Sequence, residues 1–178
     1  IENNIFHSIK MAAVSLEMGV SDSIIRNNLA FNNQQLVVFW WYDSAYADIV
    51  PYSQDNIKII NNTVYVSDRL YDGSPNGNSP IHYNHDNSER VLNAGITANN
   101  HEIRNNIFIT QSAGIFRFQK MYFLKSPCTP PIIENNIVYH DTGVDEKILF
   151  LTSSDLTSHY YNLAEFESYH ENFHNNKF

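Results

Sequence analysis

Three groups of side chains could do chemistry. The first is Phe39-Trp40-Trp41-Tyr42-Asp43, with Tyr46 close behind. Sugars present flat apolar faces flanked by hydroxyls, and aromatic rings beside a carboxylate match both through stacking and hydrogen bonding. Trp40, Trp41, Tyr42, Asp43 and Tyr46 are therefore candidate saccharide contacts. The plainer alternative is that some of these rings only pack beneath a loop. The second group is His82, His85, Asp86, Glu89 and Arg90. Removing a proton next to a sugar carboxylate needs a base, together with a cation or Ca2+ to neutralise that carboxylate, and this segment holds both kinds of group. His85 and Arg90 are catalytic candidates, and Asp86 and Glu89 are candidate Ca2+ ligands; a solvated polar loop is the competing reading. No familiar His/Cys spacing for zinc is present. The third group is Arg26 and Arg104, with Arg117 and Lys120 comparable to them. Each guanidinium could face an anionic groove or sit in a surface ion pair.

The elements that must position these groups come from a repeat. The pattern Ile, any residue, Asn, Asn and usually an apolar residue occurs five times, beginning at Ile1, Ile25, Ile59, Ile103 and Ile133. Among the 24 asparagines many are adjacent pairs. Asparagine is a poor helix former and tolerates a left-handed backbone, so paired asparagines inside apolar runs mark a recurring bend. One Asn of each pair is expected to take that bend; the pattern leaves open which. A second short run follows: Ala13-Val14-Ser15-Leu16, Leu36-Val37-Val38-Phe39, Ala94-Gly95-Ile96-Thr97, Ala113-Gly114-Ile115-Phe116 and Ile148-Leu149-Phe150-Leu151. Runs of this length bounded by Asn, Asp and Ser are strands, with side chains alternating between two faces.

A stack of coils follows, each hydrogen-bonded to the next at about 4.8 Å. The Ile positions should point inward, the Asn positions should form an amide ladder, and His7, Phe31, Tyr65, Ile109 and Tyr139 should form a mostly aromatic column. With Asn105 taken as mid-stack, Asn105→Ala is expected to leave neighbouring amides unsatisfied. Glu2, Arg26, Ile60, Arg104 and Glu134 should line up outward, setting opposite charges side by side. The expectation is an all-β, right-handed parallel β-helix of about five coils over residues 1–151, then an exit segment over 152–178 with a short helix. A bare coil takes about 24 residues, so residues 40–56, 67–93 and 119–131 are insertions, which on repeat proteins often form the binding face. Ile81-His82-Tyr83-Asn84 is either part of such a loop or a degenerate extra coil.

Composition excludes several classes. The formal charge of −8 lacks the basic patch of a nucleic-acid binder. No apolar run reaches the length of a membrane-spanning helix, so membrane insertion is not expected. The single Cys128 can form no internal disulfide. The chain begins inside a repeat without Met or leader, which reads as the C-terminal part of a longer protein. Its first coil, with Ile1 and Ile5 uncovered, is expected to self-associate.

On these residues the chain resembles the right-handed parallel β-helix superfamily with the pectin-lyase-like fold, over about 1–151. Tyr160 to Phe166 with Asn175-Asn176-Lys177-Phe178 is similar to the exit segment of bacterial β-helix proteins linked to polysaccharide breakdown, without the Asp-Pro of their closing motif. The resemblance implies a polysaccharide or oligosaccharide partner and a secreted, periplasmic or cell-surface location. It leaves the activity open between lyases, glycosidases and non-catalytic structural or adhesive solenoids such as tailspikes, because one fold hosts many functions.

Overall fold

The computed structural model describes residues 1–17, 19–41, 53–67, 79–85, 97–111, 114–119, 128–141, 149–152 and 158–178. Its strands form three sheets, and the chain visits them in rotation. The first sheet holds β3 (Ile24–Arg26), β6 (Lys58–Ile60), β9 (Glu102–Arg104), β12 (Ile132–Glu134) and β16 (Phe173–His174). The second holds β1 (Ile5–His7), β4 (Leu29–Asn33), β7 (Thr63–Val66), β10 (Ile107–Thr110) and β13 (Ile137–His140). The third holds β2 (Ala12–Leu16), β5 (Gln35–Trp41), β8 (Ile81–His85), β11 (Phe116–Gln119), β14 (Leu149–Thr152) and β15 (Ser158–Tyr161). Every neighbouring pair of strands is parallel except β14 with β15. The fold is all-β and parallel, with one short helix, α1 (Leu163–Tyr169), among the described residues.

The paired asparagines turn the chain from the first sheet into the second. Asn3, Asn27, Asn61, Asn105, Asn135 and Asn175 all have φ between 56° and 58°. The first Asn of each pair is thus the left-handed residue, a conformation that Asn tolerates better than other residues with a Cβ. The second Asn points inward. Asn4, Asn28, Asn62, Asn106 and Asn136 each donate a side-chain amide to the Oδ1 of the next, at 2.9–3.1 Å, ending on Asn176. The same Oδ1 also accepts the backbone N–H of the previous Asn at 2.9–3.1 Å. Asn105 is therefore a bend residue, and Asn106 is the ladder residue between Asn62 and Asn136.

Two further differences from the expectation have physical causes. A sixth Asn corner exists, because Phe173 pairs with Ile133 and His174 with Glu134. Phe fills the apolar position there, so an Ile-based template misses it. Ile81–His85 is the third-sheet strand of the longest circuit, between β5 and β11, and not an extra coil. Ala94 to Ile96 lie outside the described residues, and Thr97 bridges to Ser53 instead of entering the third sheet. The interval 67–93 therefore contains β8, and residues 68–78 and 86–93 lie outside the described residues.

The core fills the space between the sheets. Ile25, Ile59, Ile103 and Ile133 of the first sheet are fully buried, as are Val64, Phe108 and Val138 of the second and Phe39, Tyr83, Phe116 and Phe118 of the third. Each such side chain contributes roughly 1.5–3 kcal/mol of burial. Ile1, in register with this column, is 57% exposed. The helix closes the other end by laying Phe166 against Phe116, with ring centroids 5.0 Å apart, and against Phe173 at 4.9 Å.

Candidate functional site

The third sheet brings together the groups that the sequence singles out. Parallel register sets Val38 beside His82, Trp40 beside Asn84 and Trp41 beside His85. On the far side of β8, Arg117 lies beside His82. Val37, Phe39, Ile81, Tyr83, Phe116 and Phe118 face the core, so by alternation Val38, His82 and Arg117 share the opposite face, with Trp40 and Asn84 one step further along. β5, β8 and β11 are described as far as Trp41, His85 and Gln119.

Local contacts position some of these groups. His82 is buried, and its Nδ1 lies 3.0 Å from Gln35 Nε2. Trp40 and Arg117 are half-buried. Tyr42, Asp43, Tyr46, Asp86, Glu89, Arg90 and Lys120 lie outside the described residues. Among the described residues no group of three His, Cys, Asp or Glu side chains could hold a metal. No helix among them is long and apolar enough to cross a membrane.

Arg104 is not part of this gathering. It sits on the outer face of the first sheet in the expected column, where Glu2, Arg26, Ile60, Arg104, Glu134 and His174 are successive neighbours. Arg104 Nη1 is 2.8 Å from Glu134 and its Nε is 3.4 Å from Glu102, which also pairs with Lys58 at 2.9 Å. Arg26 Nε meets Glu2 at 2.6 Å and holds that carboxyl below its usual range by a hydrogen bond and by charge. An open cleft of about 290 Å3 lies at this end of the first sheet, lined by Ile1, Glu2, Asp22, Ile24 and Arg26. Glu2 and Arg26 of its lining neutralise each other.

Sequence reasoning missed a buried polar centre. Tyr83 Oη lies 3.0 Å from His101 Nδ1, and His101 Nε2 bonds the carbonyl of Gln54. The Phe39 ring stacks on Tyr83 at 4.1 Å and on His101 at 5.2 Å. Desolvation lowers the His101 pKa to about 4 and pushes the Tyr83 hydroxyl far up. The neutral imidazole then donates from Nε2 and accepts from the tyrosine, so every polar atom of the pair is used. The centre joins the third sheet to the corner before β9 and offers no ionisable group to solvent at neutral pH. Asp55 lies in the same corner, accepting from the Asn99 N–H at 2.8 Å and the Thr97 hydroxyl at 3.1 Å. The only sequence signal was the pair Asn99-Asn100 before His101, which reads as a plain turn.

Comparison with protein-family models, with curated proteins and with solved structures finds no match for this chain.

Proposed function

We propose that the chain is a run of coils of a right-handed parallel β-helix of the pectin-lyase-like superfamily, held by an asparagine ladder, that binds or degrades a polysaccharide. The site is the outer face and C-terminal margin of the third sheet. The supporting observation is the register of β5, β8 and β11, which sets Trp40 and Trp41 beside Asn84 and His85, and His82 beside Arg117. A flat ribbon of parallel strands with chain excursions at its margin is how such a fold makes the concavity an oligosaccharide needs.

In this reading Trp40, Trp41, Tyr42 and Tyr46 stack on sugar faces, while Asp43, His85 and Arg90 make polar contacts. His82 or His85 is the base, Arg117 meets a sugar carboxylate, and Asp86 and Glu89 are oxygen donors of the type Ca2+ takes. A polymeric substrate of this kind places the protein outside the cytoplasm: secreted, periplasmic or at the cell surface. The test is calorimetric titration against a panel of acidic and neutral polysaccharides, with and without Ca2+. Trp41→Ala combined with Tyr42→Ala should weaken binding about tenfold at an unchanged melting temperature. Equal affinity in that variant removes the site. Absence of binding to every glycan favours the second reading, a non-catalytic structural or adhesive solenoid, for which the exposed apolar face of the second sheet speaks.

A further inference from the structure

Exposed apolar surface is gathered on one face. Of the ten large apolar side chains exposed among the described residues, Ile5, Leu29, Ile107, Ile137 and Tyr139 lie on the outer face of the second sheet. A sixth, Phe178, sets its ring 6.1 Å from that of Tyr139. Exposed hydrophobes scattered singly are ordinary, but a contiguous run marks an interaction site. Register orders the run into columns: Ile5, Leu29, Thr63, Ile107 and Ile137 are successive neighbours. At about 4.8 Å per strand the strip is roughly 19 Å long.

We propose that this strip is an interface on which a second copy of the chain docks face to face. Charge is the first argument. Each copy carries −8, so two copies repel unless they meet on a neutral surface. The outward positions of β1, β4, β7, β10 and β13 include no carboxylate, lysine or arginine. The acids bordering the strip are engaged locally: Glu2 with Arg26, Glu134 with Arg104 and Asp141 with Gln111. Along β1 to β13 two copies therefore meet without opposing like charges; the one charge in the column is Lys177, beside Ile137 at its end. Ring orientation is the second argument. The His7 and Phe31 rings stack on each other at 5.5 Å with 12° between their planes. Each ring thus has one face covered by the other. A sugar needs a ring face, whereas a protein surface packs against aromatic edges and aliphatic side chains alike. Flatness is the third, because sheets pack face to face at about 10 Å with strand directions within about 30°.

Size sets the strength. A strip of this length and two side chains in width offers a few hundred Å2, short of the ~800 Å2 that each partner brings to a standard interface. Association is therefore reversible, and salt should strengthen it by screening the net repulsion. This inference stands apart from the glycan site on the third sheet.

Sedimentation equilibrium of the whole chain across the micromolar range, at low and high salt, tests it. The expected result is a mass rising from 20.6 kDa toward twice that value, more steeply at high salt. Leu29→Glu with Ile107→Glu should hold the chain monomeric while the melting temperature stays put. Should that pair melt early, Ile137→Lys and Tyr139→Lys, made separately, give the same readout. A monomer under all conditions overturns the proposal. So does a dimer that ignores the strip variants, which moves the interface to the first circuit or elsewhere. A wild type that stays monomeric yet co-sediments with an insoluble neutral polysaccharide gives the strip to a glycan and overturns it too.

Discussion

Within each corner the two asparagines do different physical work, and substitutions should separate them. Asn105 supplies a left-handed backbone at φ 56°; glycine adopts this freely, while alanine carries a strain of roughly 1–2 kcal/mol. Asn106 supplies an acceptor for the Asn62 N–H and side-chain amide, and donates to Asn136 Oδ1 and the Ile59 carbonyl. Asn106→Ala leaves buried donors unsatisfied at once, so a loss of about 1–3 kcal/mol or more is expected. Asn105→Gly should stay within about 1 kcal/mol of wild type. Urea midpoints of the two variants check this, and equal midpoints would sink the division of labour. His101 gives a pH prediction. In the unfolded chain it takes a proton near 6.5, but in the fold only near about 4. Its neutral form thus contributes stability that is complete above pH 6.5 and is lost as the pH falls toward 4, by about 3 kcal/mol in all. Because the chain holds seven other histidines, the measurement is the difference between wild type and His101→Gln. Identical pH profiles from 7 to 4 would remove His101 as the source. Neither role was legible beforehand: either Asn fits a bend, and His101 shows its burial only once Tyr83 is folded over it.

Elements show where pattern reading succeeds and where it stops. Strands carrying Ile-x-Asn-Asn were legible because an apolar inward residue and a bend residue sit at fixed spacing. The column from His7 to Tyr139 was legible for the same reason, since equal offsets from each corner become equal register. The third sheet was less legible, because intervals between corners vary from 24 to 44 residues and no fixed offset marks its strands. β8 therefore passed for a loop or an extra coil. The helix α1 was expected where it lies, but its task was not. Asn162 caps it and Glu165 closes the capping box. Glu167 Oε1 then accepts both the Asn176 N–H at 2.7 Å and its side-chain amide at 3.2 Å. That is the same pair of bonds each earlier asparagine receives from the next, now made by a carboxylate. A second, exposed column runs the opposite way: Asn100 donates to Asn56 at 3.0 Å and Asn56 to Asp22 at 2.8 Å. Both columns end on a carboxylate at their acceptor end, where a charged acceptor strengthens the last bond. Glu167→Ala should lower stability by about 1–2 kcal/mol, while Glu167→Gln, which keeps an oxygen acceptor, should stay close to wild type. Thermal melts compare them, and an unaffected Ala variant would mean that Phe166 packing alone closes this end.

Across the whole molecule the two ends of the stack are unequal, and stability should follow that gradient. In a stack each layer packs only on its neighbours, so unfolding energies vary along it and opening starts at the weakest end. At the far end α1, β15 and Glu167 cover the last layers. At the near end Phe6 and Ala13 pack only partly buried against the core, and Ile1 is 57% exposed. The inward side chain of β1, Phe6, thus lacks the burial that holds β7 and β10, where Val64 and Phe108 are fully enclosed, while Val14 and Leu16 keep β2 in the core. β1 and β2 also hydrogen-bond to a strand on one side only. Native-state hydrogen exchange should therefore be fastest in β1 and β2, slow progressively through β4 and β5, and be slowest in β7 and β10. Low urea should accelerate the slow amides less than proportionally until the global transition is reached. Adding Asn106→Ala should then release β7 and β10 first, splitting the stack at its middle instead of fraying it from the end. Uniform exchange across all strands, in wild type and variant alike, would mean that the layers unfold as one cooperative unit and that the end gradient carries no energetic weight.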